Sequence, residues 1–233
     1  MKVGNDLTNP STKGLIGGKL NPEMVEEYSL YFVKFIEAYQ EHGLTFDAVT
    51  LQNEQFYVPG DYPGMGMNVS TSRLFIKALG SAFQSSDIQT KIFILDHNWV
   101  YHKEANEILS DGATREFIDG IAWHGYEDAK PEYQSKVHDK YPSKSHFFTE
   151  ITGLRAYQSF PDNLAWSFRN IFAGSIRNWA ETVLFWNLAL DEEGGPILSD
   201  YEGLRGILTI PRDGRQQARE LNVEGEYYML GHF

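Results

Sequence analysis

The sequence predicts an α/β protein made of repeated strand–helix units. Apolar runs of strand character end abruptly in polar residues, at Glu54, Asn98, His124, Glu150 and Asn187. These tips lie far enough apart along the chain to leave room for the crossover that joins parallel strands. Because no G-x-G-x-x-G pattern follows any strand, we favour a (β/α) barrel over an open nucleotide-binding sheet.

Turn and capping signals divide the N-terminal part of the chain. Residues 1–20 are rich in Gly, Asn and Thr, and we expect them to form a loop. Asn21 followed by Pro22 has the residue types that begin a helix, and Gly43 is suited to end it. An apolar strand over 46–54 follows, and a Pro- and Gly-rich loop of functional length separates it from the next helix.

Periodicity predicts the remaining elements. Helical spacing alternates with apolar strand runs and then gives way to loop and hairpin signals. We predict a helix from Ser70 to about 83, a strand over 91–95, a helix over 102–110, a strand over 118–123, a helix over 131–139, a strand over 146–150, a long helix from Pro161, a strand over 182–187, a loop and hairpin insertion over 192–224, and a last helix from Glu226. The whole chain, 1–233, is expected to form a single partial barrel domain.

Composition narrows the possible function classes. The chain has 233 residues and a formal net charge of −12, which disfavours nucleic acid and anionic membranes as partners. It has no cysteine, which excludes disulfides, thiolate catalysis and cysteine-based zinc sites. We expect neither a membrane span nor a signal peptide in it. Aromatic residues make up 14% of the chain, which suits sugar stacking and an ordinary core alike.

Two glutamates stand at equivalent strand tips: Glu54 directly after Asn53, and Glu150 at the end of the run 146–150. The carboxyl ends of barrel strands meet at one face, where catalytic groups lie. Two carboxylates are what glycoside hydrolysis uses, one as acid and base and one as nucleophile. The alternative is two unrelated, solvated glutamates at the starts of loops. The repetition at two strand tips favours the functional interpretation.

Other residues at the strand tips are suited to hold a sugar. Asn53 is placed to hydrogen-bond a sugar 2-hydroxyl, although an Asn there also caps turns. His124 and Tyr126 are suited to orient the nucleophile and keep its pKa low, although a lone strand-end His is more often structural. Trp186 is suited to form the floor under a sugar ring, although a strand Trp usually belongs to the core.

One group of residues invites a metal-site interpretation, namely Asp96, His97, His102 and Glu104. Their spacing matches no standard ligand pattern, so we expect no metal there. We expect no other cofactor either.

Six segments of the chain, in order, resemble glycoside hydrolase family 30, the glucosylceramidase-like family. They are residues 48–54, 95–99, 119–126, 148–150, 184–191 and 227–233. The resemblance implies the family's (β/α)8 TIM barrel and a retaining mechanism on β-glucoside-type linkages. It implies that Glu54 is the acid/base and that Glu150 is the nucleophile. The resemblance does not imply a metal.

The resemblance also implies a set of substrate-binding residues within these segments. They are Asn53, Asp96, Asn98, His124, Tyr126, Trp186 and Asn187. Two positions depart from the family pattern. Gln55 stands where Pro is usual, and Gly125 stands where an aromatic residue is often found. We expect the glycine to widen the site or to remove a sugar contact.

The similarity begins after the third barrel strand. We therefore expect an incomplete barrel of about strands 4–8, without the family's β-sandwich side domain. Such a barrel leaves two sheet edges open, and we expect copies of the chain to associate and cover them. Three functions stay open: a β-glycoside hydrolase, a weak or inactive half-barrel, and a sugar-binding module without turnover. We expect the parent protein to be secreted or extracytoplasmic.

Overall fold

A computed structural model describes residues 1–5, 15–127, 130–154, 159–196, 203–212 and 221–232. The N-terminal segment differs from the expected loop. Strands β1 (Lys2–Asn5) and β2 (Gly17–Leu20) pair in antiparallel fashion, and residues 6–14 lie outside the described part. The backbone of β2 also exchanges hydrogen bonds of 2.9 Å with Gly66. This tertiary partner is distant in the sequence, so local turn signals do not reveal the strand.

The first long helix begins where the capping residues predict. Asn21 accepts a hydrogen bond of 3.2 Å from the Glu23 amide, and a 3-10 turn, Pro22–Met24, leads into α1 (Val25–Gln40). The helix ends before Gly43, whose φ of 75° is accessible to glycine. Part of the apolar surface of α1 stays exposed. Its exposed residues include Leu30, Tyr31, Phe35 and Tyr39.

The middle of the chain contains the predicted strands and helices in order, together with a short helix, Gly112–Arg115, and a short strand, Gly153–Leu154, that were not predicted. The elements are β3 (Ala48–Thr50), α2 (Val69–Ser85), β4 (Lys91–Asn98), α3 (His102–Ser110), α4 (Gly112–Arg115), β5 (Gly120–His124), α5 (Glu132–His138), β6 (Ser145–Glu150), β7 (Gly153–Leu154), α6 (Phe160–Trp166), a π-helical segment (Ser167–Phe172), α7 (Ala173–Arg177) and β8 (Ala180–Val183). β3 and β8 are shorter than predicted, because the chain turns beyond them, with positive φ values of 48° at Glu54 and 97° at Asn187.

The C-terminal part forms a small sheet before the last helix. Its elements are β9 (Ala189–Asp191), β10 (Leu204–Arg205), β11 (Leu208–Ile210), β12 (Asn222–Val223) and α8 (Gly225–Gly231). β11 and β12 form the predicted hairpin, and the tip, 213–220, lies outside the described residues. β9 was not predicted; it pairs in parallel with β11, while β10 pairs with β7.

The central sheet has the strand order β3-β4-β5-β6-β8, and all of its neighbours run parallel. The carboxyl ends of these five strands therefore lie along the same edge. Within the described residues the sheet is open, with β3 and β8 as its two edges. A closed barrel of this type has eight strands, so the expected incomplete barrel is confirmed.

The core lies between this sheet and its helices. Its largest buried side chains include Trp99 and Trp123. The Trp99 indole N–H donates to Gln134 at 2.7 Å, and the Trp123 indole N–H donates to His146 at 3.0 Å. Both buried indole nitrogens therefore have a hydrogen-bond partner. None of the described helices combines the length and apolarity that a membrane span requires.

A buried ion-pair cluster holds the C-terminal elements against the end of β6. Arg205 is 8% exposed and donates to Glu224 and Glu226, each at 2.7 Å. Glu226 is buried and also accepts from the Asn163 amide at 2.9 Å. The Arg205 carbonyl accepts from the hydroxyl of Thr152, just beyond the strand that carries Glu150. The cluster thus links the small sheet, α8 and the end of β6.

Replacing Arg205 with Met should lower the free energy of unfolding by about 3–5 kcal/mol, because the buried carboxylate of Glu226 loses its cation. Urea unfolding followed by circular dichroism measures the change. Arg212→Met is the matched control. Arg212 is 52% exposed and pairs with Asp191 and Glu193, so its loss should cost at most about 1 kcal/mol. Equal losses for the two variants would contradict a structural role for the buried cluster.

Candidate active site

The candidate site lies at the carboxyl ends of β3 to β6. Glu54 follows β3 in a turn, and its φ of 48° places it in the left-handed region, where residues with a Cβ are uncommon. The turn is held by the Glu54 amide, which donates to the Asp96 carbonyl at 2.9 Å. Such strained positions cluster at functional sites because the surroundings have to enforce them.

A bulge in β4 shapes the second strand of the site. The pairing register with β5 shifts between Leu95 and His97, and Leu95 and Asp96 have φ values of 75° and 49°. A bulge bends a strand and redirects its side chains. Here the Asp96 carboxylate reaches neighbours on both sides of β4.

Asp96 is the common hydrogen-bond acceptor of the site. Its Oδ1 accepts from His124 Nε2 at 3.0 Å and from the Thr149 hydroxyl at 2.7 Å, and its Oδ2 accepts from the Thr50 hydroxyl at 2.7 Å. Burial acts to raise the pKa of Asp96, but these hydrogen bonds and the charge of His124 outweigh it and lower the pKa. Asp96 is therefore a buried anion that ties β3, β5 and β6 together.

His124 lies between two carboxylates. Its Nε2 faces Asp96, and its Nδ1 lies 3.1 Å from Glu54 Oε1. Burial acts to lower the pKa of this imidazole, but the hydrogen bonds to Asp96 and Glu54 raise it to about 9. At neutral pH His124 is therefore an imidazolium that donates from both ring nitrogens.

Glu150 ends β6 on the other side of His124. The Tyr126 hydroxyl donates to Glu150 Oε1 at 2.9 Å, and His124 Nε2 lies 3.9 Å from Glu150 Oε2. Burial raises the pKa of Glu150, while His124 and Tyr126 oppose the rise. Burial and the neighbouring Glu150 carboxylate raise the pKa of Tyr126, so its hydroxyl stays protonated and keeps donating.

The two glutamates face one another across His124. One carboxylate oxygen of Glu54, one of Glu150 and a ring nitrogen of His124 all lie within 4.8 Å of one another. Glycosidases that retain the anomeric configuration hold their two carboxyl groups about 5–5.5 Å apart, whereas inverting enzymes need a wider gap for water. The nearest oxygens of the two carboxylates thus lie within 4.8 Å, which fits the shorter, retaining separation.

The other predicted residues have different surroundings. Asn98 is buried, and its Oδ1 accepts from the Tyr126 amide at 3.0 Å, so it holds the β5 loop. Asn53 is exposed and lines a cleft of about 660 Å³ beside Glu54. Trp186 is 43% exposed, and its amide donates to the Ile151 carbonyl. Asn187 follows it in the left-handed region.

The sequence did not indicate the roles of three residues in the site, namely Thr50, Thr149 and His97. Thr50 and Thr149 orient Asp96, and their signal is a hydroxyl residue at the tip of an apolar strand. His97 is buried, and neither of its ring nitrogens has a hydrogen-bond partner. Its Nδ1 lies 3.7 Å from Glu54 Oε1, and burial lowers its pKa to about 4. The sequence drew attention to His97 only within a rejected metal set.

The two departures from the family pattern are packed into the interior. A Cβ at Gly125 would lie 3.0 Å from Ile171 and 3.1 Å from Phe148, so the space beside it is filled rather than opened. Gln55 is fully buried and donates to the Ser72 hydroxyl at 3.0 Å. Gly125 therefore permits close core packing, which corrects the expectation of a wider site.

A partial (β/α) barrel with two carboxylates facing each other at its strand ends defines a glycoside hydrolase-type domain. A family model described as the glycosyl hydrolase family 30 TIM-barrel domain matches residues 4–233. The chain belongs to this family, and the resemblance seen in its sequence is confirmed.

Similar proteins agree on the family. The chain is 29% identical over 223 residues to an endo-1,6-beta-D-glucanase from Neurospora crassa, a match that covers 94% of the chain and 44% of the glucanase. It is 28% identical to the lysosomal acid glucosylceramidase of Mus musculus, covering 95% of the chain and 44% of that protein. A solved endo-β1,6-glucanase superposes with a TM-score of 0.87 at 29% identity, covering 94% of the chain and 50% of that structure. The chain thus spans about half the length of these relatives.

The stability of the protein should depend on the charge of His124. Its folded pKa of about 9 lies above the ordinary 6.5, so this stabilisation is complete below about pH 6.5 and is lost as the pH rises through 9. The wild type should lose about 3 kcal/mol of unfolding free energy across that window. His124→Gln should lack this loss, and the exposed His42→Gln should retain it. Parallel urea titrations at several pH values test this, and a His124→Gln profile like that of the wild type would contradict it.

Proposed function

We propose that this domain hydrolyses β-glycosides of the β-glucoside type with retention of configuration. The observation that supports the proposal most directly is the close approach of the Glu54 and Glu150 carboxylates, within 4.8 Å of each other and of a His124 nitrogen. Membership of family 30 supports a carbohydrate substrate. Its relatives include proteins named endo-1,6-beta-D-glucanase and lysosomal acid glucosylceramidase, and both names fit a glucoside substrate.

In the proposed mechanism Glu150 is the nucleophile. Its carboxylate attacks the anomeric carbon and forms a glycosyl ester, while Glu54 gives a proton to the departing oxygen. Water then attacks the same carbon, Glu54 takes the water proton, and the ester bond to Glu150 breaks. The hydrogen bond from Tyr126 fixes the attacking carboxylate, and its limited hydration favours attack once it is ionised.

Glu54 needs a proton before it can act as an acid. The hydrogen bond of 3.1 Å between His124 Nδ1 and Glu54 Oε1 offers a source, because His124 carries protons on both nitrogens at neutral pH. Transfer along this bond would protonate Glu54 and leave His124 neutral, still bonded to Asp96. Asp96 and Asn98 are then positioning residues beneath the sugar, while Asn53, Trp186 and Asn187 remain proposed sugar contacts.

A second candidate function is a weak or inactive half-barrel, or a sugar-binding module without turnover. The open edges at β3 and β8 favour it, since a full enclosure of the sugar needs walls on both sides of the pair. Positioning of the substrate supplies much of enzymatic rate enhancement, so a missing wall can leave the carboxylates ineffective.

Replacing Glu150 with Gln should lower the turnover of an aryl β-glucoside by at least about 1000-fold, because no covalent intermediate can form. The exposed Glu132→Gln is the control and should leave turnover unchanged. Aryl β-glucoside, β-xyloside and β-fucoside are compared, with release of the aryl group as the readout. If the wild type turns over none of them yet binds glucose or gentiobiose saturably, the sugar-binding module is supported instead.

Azide rescue separates the two roles. In Glu150→Ala, azide should attack in place of the missing carboxylate and give the α-glycosyl azide. In Glu54→Ala, the glycosyl ester should still form from a substrate with a good leaving group, and azide should then give the β-glycosyl azide. Nuclear magnetic resonance of the products reads the anomeric configuration. The reverse pattern would exchange the assigned roles of the two glutamates.

We also propose that a second copy of the chain covers the open sheet. β3 and β8 are the two edges of one parallel sheet, so β8 of one copy can pair with β3 of another and continue the sheet. Exposed apolar residues lie near both edges. Phe35 and Tyr39 on α1 contact Phe46, which lies two residues before β3, and Leu184 directly follows β8.

A secreted or extracytoplasmic location for the parent protein stays a prediction.

Light scattering should give a mass of twice the chain or more at micromolar concentration. Leu184→Lys should shift the population towards the monomer, because it places a charge beside the β8 edge. Leu221→Lys is the control, since Leu221 is 49% exposed and Leu184 is 51% exposed but Leu221 lies beside the small sheet. A monodisperse wild-type monomer would contradict self-association.

A further inference from the structure

We propose that the described site is also a binding site for a divalent transition-metal cation of the Zn²⁺ type, held by Glu54, His97, His124 and Glu150. These residues lie on or directly after four neighbouring strands, so no ligand-spacing motif in the sequence predicts the set. The cation is an inhibitory ligand in this proposal and takes no part in hydrolysis.

The geometry supplies a mixed nitrogen and oxygen set around one carboxylate oxygen. Glu54 Oε1 lies 3.1 Å from His124 Nδ1 and 3.7 Å from His97 Nδ1. A Glu150 oxygen completes the group, within 4.8 Å of its Glu54 and His124 counterparts. Four such ligands match the tetrahedral coordination that Zn²⁺ prefers, with bonds of about 2.0–2.2 Å. At these bond lengths the ligand atoms would lie closer to one another than they do here, so binding requires the Glu150 and His97 side chains to move towards Glu54 and His124.

His97 is the observation that points to a ligand. Its side chain is 3% exposed, and both of its ring nitrogens lack a hydrogen-bond partner in the described structure. Unpartnered buried polar atoms carry a cost and call for a physical explanation. Tyr101 and Phe56 stack along its ring, at centroid distances of 4.1 and 6.1 Å, and fix its Nδ1 towards Glu54. A cation beside Glu54 would give that nitrogen a partner.

The surroundings of His124 also suit a metal ligand. Its Nε2 is bonded to Asp96, which is in turn held by Thr50 and Thr149. A carboxylate behind the distal nitrogen is the usual partner of a metal-binding histidine, because it fixes the ring and strengthens the donor. The cation would replace the proton between His124 and Glu54, and that proton leaves to solvent. Three carboxylates, Glu54, Asp96 and Glu150, supply the negative charge.

Imidazole nitrogens set the metal preference. They favour Zn²⁺ and Cu²⁺ over Mg²⁺ and Ca²⁺, which take oxygen ligands. Bound between the two glutamates, the cation would occupy both carboxylates and stop them from reacting. Inhibition of turnover rests on the proposed function, whereas binding of the cation does not.

Isothermal titration with zinc chloride in a non-chelating buffer tests binding in the whole chain. The wild type should bind one Zn²⁺ saturably, and Mg²⁺ at the same concentrations should not bind. Glu54→Gln, His97→Gln and Glu150→Gln should each weaken Zn²⁺ affinity by at least about 10-fold, while His42→Gln, at an exposed histidine, should bind as the wild type does. Thermal unfolding without metal shows which variants are folded, and only folded variants are scored.

Each result of the titration either supports or overturns the proposed metal site. Saturable binding by the wild type that weakens in the folded site variants supports the proposal. Absence of wild-type binding overturns it, and so does unchanged binding in any folded site variant or equal binding of Mg²⁺. If none of the three variants folds, Zn²⁺ protection of wild-type His97 and His124 from diethyl pyrocarbonate decides the matter, and modification at unchanged rates overturns the site. A protein that binds Zn²⁺ but turns over no glycoside supports this site while refuting the proposed hydrolysis.

Discussion

The hydrogen bond between Asp96 and His124 is the contact on which the site depends. It joins the bulged strand β4 to the end of β5, and the same carboxylate accepts from Thr50 on β3 and Thr149 on β6. The Asp96 carbonyl meanwhile holds the turn that carries Glu54. A single residue thus fixes the relative positions of four strand ends. Without it, the two glutamates would depend on their own loops for placement.

This arrangement also explains how so much charge is tolerated in a partly buried place. Carboxylates at Glu54, Asp96 and Glu150 would repel one another in a region of low dielectric. The His124 imidazolium lies among them, and burial alone would favour its neutral form. His124 therefore keeps its proton because of the carboxylates that surround it. His97, with no carboxylate in hydrogen-bond contact, is left neutral by burial.

The sequence could predict the strands and helices from periodicity, and it could predict their shared functional edge from the common direction of parallel strands. Parallel strands joined by helices end at a common edge of the sheet, so the sequence alone could place the polar tips at Glu54, His124 and Glu150 together. The bulge at Leu95 and Asp96 could not be predicted, because it depends on pairing with β5 and breaks the alternation of side chains. The bulge directs the Asp96 carboxylate towards Thr50, His124 and Thr149. The buried Asn98 accepts from the Tyr126 amide, and the sugar contacts of both residues stay a prediction. The N-terminal strands escaped prediction because β2 bonds to Gly66, far along the chain.

The open sheet affects the placement of the carboxylate pair and the enclosure of a sugar differently. Glu54, Asp96, His124 and Glu150 lie on or directly after consecutive strands, β3 to β6, so their mutual geometry needs no strand beyond the sheet itself. Enclosure of a sugar is a different requirement, because it needs surfaces on both sides of the pair. Trp186 and the cleft beside Asn53 are described on the two flanks, past β8 and β3 respectively. The carboxylate pair is thus organised locally, whereas enclosure of the proposed sugar would depend on what covers the edges of the sheet. Placement of the two carboxylates and enclosure of a sugar therefore have separate structural bases in this domain.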